Sequence, residues 1–227
     1  MSLVRIGKDI EACELCPRLR DHCRHMAEIK RRAYRDQEYW GKPVPGFGDP
    51  KARLLVLGLA PGAHGANRTG RVFTGDKSGD FLYRAMHETG FANQPTSVSR
   101  NDGLRLKDAW VSASVRCAPP DNKPLPEEFR RCRPYLDREL AALRHLQAVV
   151  CLGKLAWDTY LGYLRDNGQR IRMADYVFGH GAVYANLEPV LIGSYHPSQQ
   201  NTSTGRLTAA MLRDVFEIAR GVVDGEK

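Results

Sequence analysis

The chain has 227 residues, 42% of them hydrophobic, so it can bury a sizeable core, and we expect one domain over residues 1–227. It carries 34 Lys and Arg against 26 Asp and Glu, a formal charge of +8, which favours a polyanionic partner without establishing one. No stretch approaches the roughly 20 uninterrupted apolar residues of a membrane span, and the N-terminus lacks an apolar signal core, so we expect a cytoplasmic protein with no membrane segment.

The N-terminal part contains a basic segment and then a loop. Residues 18–38 have helical periodicity and a dense basic face, which fits either a solvated helix or a helix that faces DNA. Residues 40–50, WGKPVPGFGDP, hold too much proline and glycine for a regular helix and predict an ordered loop.

From Arg53 onward, short apolar runs alternate with longer segments of helical periodicity. The runs predict buried strands at 53–59, 109–115, 148–153 and 190–195. The helical segments are 78–89, 124–146, 155–164 and 206–223. Pro134 interrupts the second of these, which is therefore one long helix or a helix in two pieces.

This alternation predicts an α/β fold of three layers (αβα), in which a central parallel sheet of four strands lies between two layers of helices. Ligands of such sheets bind beyond the carboxyl ends of the strands. Three polar motifs follow predicted strand ends, at residues 58–76, 116–124 and 196–201. The sequence therefore predicts that these motifs share one edge of the sheet.

Four cysteines form two pairs that are far apart in the chain. Cys13 and Cys16 have C-x2-C spacing, and Cys117 and Cys132 follow about a hundred residues later. If the pairs meet, they form a four-sulfur site for a [4Fe–4S] cluster or a zinc ion, and residues 1–50 must then fold back onto the middle of the chain. Cys23 lies close enough in sequence to compete as a ligand.

Reduced thiols are expected in the cytoplasm, so disulfides are not predicted. The remaining cysteine, Cys151, lies within the apolar run AVVCLG and is interpreted as a core residue.

The motif at 58–76 begins with a turn of small residues and ends at a carboxylate. Residues 58–62, GLAPG, let backbone amides approach a ligand, but they match neither a P-loop nor a dinucleotide fingerprint. Asp76 precedes a predicted helix and is interpreted either as its N-cap or as a group that positions or activates water.

The other two motifs offer an imidazole and an amide. His196 follows a strand end beside Pro197 and Ser198, where a neutral ring can donate a hydrogen bond to charge on a leaving group, although a lone histidine is more often a packing residue. Asn122 lies among prolines and suits the reading of a base edge, with an Asx turn as the alternative.

With these motifs, the chain resembles the uracil-DNA glycosylase superfamily and, within it, the iron–sulfur family 5 branch. The matching segments are GKPVPGFGDP (41–50), GLAPGAHGANRTGRVFTGD (58–76), VRCAPPDNKP (115–124) and SYHPSQQNTSTGRLT (194–208). Related family 4 enzymes have a glutamate in the first motif, reading GEAPG, where this chain has Leu59. That departure is the family 5 pattern, and it transfers the carboxylate role to Asp76.

The resemblance implies hydrolysis of the N-glycosidic bond of uracil and other deaminated or damaged bases in double-stranded DNA, by a monomer that flips the base out of the duplex. In this scheme Asp76 holds the attacking water, Asn122 binds the base edge and His196 stabilises negative charge on the base. Phe73 stacks on the flipped ring.

The residues that the resemblance implies for base and DNA binding are Gly58, Ala60, Pro61, Gly62, His64, Phe73, Ser198, Gln199, Gln200 and Asn201. Its implied cofactor is a [4Fe–4S] cluster on Cys13, Cys16, Cys117 and Cys132. Because Leu59 and Ala60 are apolar, we expect broad selectivity among damaged bases.

Two further interpretations concern cations and the function class. Arg68, Arg71, Lys123 and Arg206 lie beside the motifs and are candidates for phosphate contacts. A non-catalytic, metal-stapled nucleic-acid binding protein explains the cysteines and the charge, but it leaves the three strand-end motifs without a role. An electron carrier or radical enzyme is disfavoured, because the C-x3-C-x2-C spacing is missing.

Overall fold

The computed structural model describes residues 2–225 and contains one mixed sheet of six strands with helices around it. The strands are β1 (Phe47–Gly48), β2 (Leu54–Gly58), β3 (Ala109–Ala113), β4 (Ala148–Leu152), β5 (Val183–Tyr184) and β6 (Val190–Ser194). The helices are α1 (Leu3–Glu11), α2 (Pro17–Ile29), α3 (Ala66–Thr69), α4 (Lys77–Glu88), α5 (Pro126–Ala142), α6 (Lys154–Asp166), α7 (Gln199–Ser203) and α8 (Ala209–Asp224).

The α/β class is confirmed, but the sheet is larger than the predicted four strands. Its order is β1-β3-β2-β4-β6-β5, with parallel pairing from β3 through β6 and antiparallel pairing of β1 and β5 at the two edges. Both edge strands have only two residues, so they are too short to produce the alternation by which strands are predicted.

The core lies on both faces of this sheet. Alternate residues of the strands face a cluster with α4 and α8 on one side, including Val56 and Val150. Their neighbours Leu57 and Cys151 face a second cluster with α5 and α6, so the prediction that Cys151 is a core residue is confirmed. Burial on both faces explains why these strands are continuous apolar runs.

The structure corrects one helix prediction and decides between the two alternatives left open for another. The basic helix predicted over 18–38 ends at Ile29, because Lys30 takes a left-handed backbone conformation with φ 48°. The helix α5 continues through Pro134 as one piece. Among residues 2–225, no helix combines the length and apolar character needed to cross a bilayer.

A buried ion pair joins three parts of the chain. Arg116, just after β3, donates to Glu139 Oε2 on α5 at 2.6 Å, and both side chains are 2% exposed. Ser112 in β3 donates to the same oxygen at 2.6 Å, while the backbone N–H of Gly46 donates to Oε1 at 3.3 Å. The loop before β1, the end of β3 and α5 therefore converge on one carboxylate.

Replacing Glu139 with Gln removes the counter-charge and leaves the Arg116 guanidinium buried without an anion. We expect the free energy of unfolding in urea to fall by about 3 kcal/mol. The control Asp158→Asn breaks the exposed Lys154–Asp158 pair on α6 and should cost well under about 1 kcal/mol. Equal losses in the two variants would contradict a central role for the buried pair.

Candidate active site

The three polar motifs lie at the carboxyl ends of three parallel strands of the sheet, β2, β3 and β6. Residues 58–76 follow β2, residues 114–124 follow β3, and His196 follows β6, two strands away from β2 across β4. The order of strand addition reverses at β2, because β3 pairs on one side of this strand and β4 pairs on the other. Open parallel sheets bind ligands at such a point.

Phe73 lies between the first turn and the histidine. A Cβ on Gly58 would come within 2.7 Å of Phe73 Cζ, so only glycine permits this approach of the ring. On its other side, the Phe73 ring centroid is 5.7 Å from that of His196, with the planes tilted by 35°. Phe73 also has φ 49°, a left-handed conformation that costs a bulky residue about 1–3 kcal/mol. The surrounding contacts hold the ring against this strain.

His196 is a desolvated, neutral histidine. Burial lowers its pKa to about 4, so the ring is uncharged near neutral pH and can donate one hydrogen bond. Its backbone carbonyl accepts a bond of 2.8 Å from Asn201 Nδ2. Asn201 therefore fixes the turn that carries the imidazole.

Asp76 fills the first of the two roles that its sequence position allowed, the N-cap of the following helix. It is the N-cap of α4, with Oδ1 accepting from the Gly79 backbone N–H at 3.0 Å. Its Oδ2 lies against the turn of residues 62–65, where a Cβ on Gly65 would overlap it and one on Gly62 would lie 3.2 Å away. Burial raises the pKa of Asp76, while backbone N–H groups of Gly79 and Ser78 oppose that rise.

Gly65 was missed by the sequence interpretation, which stopped its small-residue turn at Gly62. The structure makes Gly65 necessary, because its missing side chain leaves the space that the Asp76 carboxylate fills. The dense glycine spacing of the loop was the available signal.

Asn122 lies apart from these contacts. It is exposed in the turn Pro120–Asn122, and both Asp121 and Asn122 have left-handed φ values, 54° and 56°. Its backbone N–H donates to the Pro119 carbonyl at 3.2 Å, and its side chain makes no hydrogen bond within residues 2–225. The side-chain bond of an Asx turn is therefore missing in this part of the chain.

The structure thus joins Phe73 to His196 and places Asp76 three residues after Phe73 in the same loop. Asn122 occupies the same edge of the sheet, since Ser114 and Val115 donate backbone bonds to the Gly58 and Leu59 carbonyls. No contact connects its side chain with Asp76 or His196 among the described residues.

The segment after His196 forms a short helix, α7. Ser198 is the N-cap of α7, accepting from the Asn201 N–H at 3.4 Å. Gln199 and Gln200 are exposed on its first turn. Gln199 also lines an open groove of about 310 Å³ between α7 and α4.

The residues of the first motif between Ala60 and His64 differ in burial and in their contacts. Pro61 is buried, and Ala60 packs against the cysteine region. His64 Nδ1 lies 3.1 Å from the Tyr39 hydroxyl, a contact that the sequence did not indicate. Burial lowers the pKa of His64, and the charges of Arg31 and Arg68 lower it further.

The interpretation of Arg68 and Arg71 as phosphate contacts is wrong. Arg68 is 8% exposed and donates to the His64 and Gly75 carbonyls at 2.8 and 2.6 Å. Arg71 is 3% exposed and donates to both oxygens of Asp102, at 2.9 and 2.8 Å. Although burial opposes it, the bond from Arg71 lowers the pKa of Asp102 to about 2.

The other two cations are exposed. Lys123 follows the Asn122 turn, and the Arg206 guanidinium lies over the Tyr195 ring at 4.7 Å from its centroid. Phosphate contacts from these two remain predictions.

Cysteines from both predicted pairs, which are far apart in sequence, lie together in the structure. A buried cluster contains Cys16, Cys23, Cys117 and Cys132 with Leu19, Val115 and Ala118. Cys13 is half-buried after α1 and lies close enough to Cys16 and Cys132 for its charge to act on both. All six cysteines of the chain are free thiols.

The chemistry of this cluster suits a sulfur-bound metal group. Burial raises the pKa of Cys132 to about 11, while a backbone bond and the charge of Arg116 favour its thiolate. The Nε atom of Arg116, the residue before Cys117, is buried without a hydrogen-bond partner among residues 2–225. Cys23 accompanies the four predicted ligands, and its Sγ lies 3.7 Å from the Ala118 carbonyl oxygen. Within residues 2–225, no three Cys, His, Asp or Glu side chains converge as a metal-coordinating group.

Comparison with known proteins gives one consistent set of relatives. The model of the uracil DNA glycosylase superfamily matches residues 45–220. The chain is similar to the type-5 uracil-DNA glycosylase of Mycobacterium bovis, with 49% identity over 221 residues, covering 96% of this chain and 81% of the relative. The type-5 uracil-DNA glycosylase of Mycobacterium leprae is 47% identical, covering 96% and 95%. That of Thermus thermophilus is 47% identical, covering 93% and 94%.

The lowered pKa of His196 predicts a dependence of stability on pH. The unfolded chain binds a proton near pH 6.5 and the folded chain only near pH 4, so His196 lowers the free energy of unfolding as the pH falls through this window. We expect His196→Asn to remove this loss, which brings the stabilities of the wild type and the variant closer together or reverses them by up to about 2 kcal/mol between about pH 7 and about pH 5. Urea unfolding at both pH values measures it. A constant difference between the two proteins would contradict the desolvated state of the ring.

Proposed function

The chain belongs to the uracil DNA glycosylase superfamily, and on that premise we propose that it is a repair enzyme that hydrolyses the N-glycosidic bond of uracil in DNA and leaves an abasic site. The observation that carries the proposal is the packing of Phe73 between Gly58 and a neutral His196, with the half-buried Asp76 carboxylate three residues further along.

The proposed substrate is double-stranded DNA that contains uracil or another deaminated or damaged base. The target nucleotide must leave the base stack, at a cost of a few kcal/mol, before a side chain reaches the bond. A basic chain with exposed cations at this edge of the sheet offsets part of that cost through phosphate contacts.

Bond cleavage then generates an anionic base and a cationic sugar. We assign recognition of the flipped base to two side chains. Phe73 stacks on the ring of the base, and the Asn122 amide hydrogen-bonds the base edge. Neutral His196 donates a hydrogen bond to the oxygen that gains negative charge. A neutral donor suits this step, because no proton has to leave the ring.

Asp76 acts on the sugar side of the bond. Its carboxylate orients the attacking water and favours the cationic sugar electrostatically. Burial raises the pKa of this carboxyl, and the cation that develops beside it favours the charged form in the transition state. The same turn of residues 62–65 that confines Oδ2 keeps the carboxylate in one orientation.

Selectivity follows from the apolar first motif. Leu59 and Ala60 present no carboxylate or amide whose hydrogen bond a wrong base would leave unsatisfied. We therefore include hypoxanthine, xanthine and ethenocytosine among the proposed substrates.

We also propose a single-domain monomer that acts in the cytoplasm. Six free thiols fit a reducing compartment. Cys13, Cys16, Cys117 and Cys132 would hold a [4Fe–4S] cluster, which supplies a rigid link between the N-terminal segment and the region around Asn122.

Replacing Asp76 with Asn tests the catalytic role. We expect single-turnover excision of uracil from a duplex to slow by about 100-fold or more, because the amide is neutral, while the dissociation constant for the same duplex stays within about twofold. The control Glu88→Gln changes an exposed carboxylate at the far end of α4 and should leave excision near the wild-type rate.

The assay incubates each enzyme with duplexes carrying uracil, hypoxanthine, xanthine or ethenocytosine and reveals abasic sites with alkali. A non-catalytic DNA-binding protein would cleave none of them. Excision of uracil alone would contradict the broad selectivity.

The cluster is tested by colour and iron content. We expect brown protein with a broad thiolate-to-iron charge-transfer absorbance and about four iron atoms per chain. Cys132→Ser should lose most of the iron, whereas Cys23→Ala and Cys151→Ala should retain it. A colourless protein with one zinc per chain would replace the iron–sulfur proposal, and iron loss in Cys23→Ala would make Cys23 a ligand.

A further inference from the structure

The turn after α2 carries a group of exposed arginines without partners. Arg31, Arg32 and Arg35 are all exposed, and the backbone forms a 3-10 turn at Arg32–Tyr34. Their side chains make no ion pair or hydrogen bond with any other part of residues 2–225, although Asp36 and Glu38 follow in the sequence. These guanidinium groups are free to meet an external anion.

The helix before this turn differs, because its arginines have partners within the protein. Arg18 is paired with Glu128 at 2.7 Å and Arg24 with Glu14 at 2.7 Å. Arg20 is 4% exposed and donates to the Gly41 carbonyl at 3.0 Å. The basic face predicted from the sequence thus divides into a structural part on the helix and an unpaired part in the turn.

The turn is held against the loop that carries Asp76. The Arg68 guanidinium lies over the Tyr34 ring, 3.9 Å from its centroid. The Trp40 backbone N–H donates to the Arg68 carbonyl at 2.9 Å, and Tyr39 contacts His64. These contacts fix the position of the turn relative to residues 62–76.

The turn is also close enough to act electrostatically on that loop. The Arg31 N–H donates to the Tyr39 hydroxyl at 3.2 Å, and the same hydroxyl contacts His64. The positive charge of Arg31 contributes to the lowered pKa of His64, which places it near the turn that confines Asp76. The turn that carries the three arginines therefore lies beside the loop of residues 62–76, with Arg31 near His64.

We propose that Arg31, Arg32 and Arg35 form a phosphate-binding surface that grips the duplex backbone beside the extruded nucleotide. The identity of the ligand, duplex DNA, rests on the proposed function. These three arginines would make the phosphate contacts that Arg68 and Arg71 cannot make, because both of those side chains are buried. Side chains that bind phosphates position the duplex without reading its sequence.

The test compares two variants that each remove three positive charges. Arg31→Gln/Arg32→Gln/Arg35→Gln changes the proposed surface. The control Lys51→Gln/Lys107→Gln/Arg144→Gln changes three exposed cations that precede β2, β3 and β4, at the opposite edge of the sheet. Binding of an undamaged, fluorescently labelled duplex is measured by anisotropy over about 50 to 200 mM salt.

Each phosphate contact contributes about 0.9 to the slope of log affinity against log salt concentration. We expect the first variant to lose up to about 2.7 of this slope and to bind more weakly at every salt concentration. The control should keep the wild-type slope, and Arg31→Lys/Arg32→Lys/Arg35→Lys should retain most of it. Equal slopes for the wild type and the first variant would overturn the proposal, as would equal losses in the first variant and the control.

Binding to undamaged DNA does not depend on catalysis, so failure of this inference is distinguishable from failure of the proposed function. If the wild type excises uracil and all slopes are equal, the surface is refuted and the activity stands. If the wild type excises nothing but the first variant alone loses slope, the surface stands and the activity is refuted.

Discussion

The buried carboxylate of Glu139 fixes how three separate parts of the chain meet. It receives Arg116 and Ser112 on one oxygen and the Gly46 backbone on the other. Taking two charges out of water costs several kcal/mol for each ion, and here the ion pair itself and the added bonds from Ser112 and Gly46 offset that cost. Another placement of the N-terminal loop, the end of β3 or α5 would leave a buried charge without a partner.

The thiol cluster depends on this interaction. Cys117 follows Arg116 directly, and Cys132 lies seven residues before Glu139, so both α5 side chains share one face of the helix. The ion pair therefore places two of the proposed cluster ligands next to each other without help from a metal. The helix α2 then needs only to dock Cys16 onto a site that is already half formed.

Local signals predicted the four long strands and most helices, but they gave no information on contacts between residues that are distant in sequence. Continuous apolar runs correctly located β2, β3, β4 and β6, since a strand that is buried on both faces is apolar at nearly every position. Arg71 was interpreted as a surface cation, because the sequence around it does not indicate that its partner is Asp102, 31 residues away. Within the candidate site, Asp76 and His196 were found from strand ends, but Gly65 was missed because its role is visible only against the folded carboxylate.

The packing between α2 and the loop of residues 62–76 gives a route by which the proposed cluster would influence the candidate active site. Asn67 is fully buried in that loop, and its Nδ2 lies 3.2 Å from the Cys23 carbonyl of α2 and 3.4 Å from that of Ala63. The same loop continues to Asp76. A movement of α2 would therefore pull on the segment that orients the carboxylate, because a buried amide cannot give up its acceptors without cost. On this path the proposed cluster would act by holding α2 in place, and its contribution to the candidate active site would be positional, with no electron transfer required.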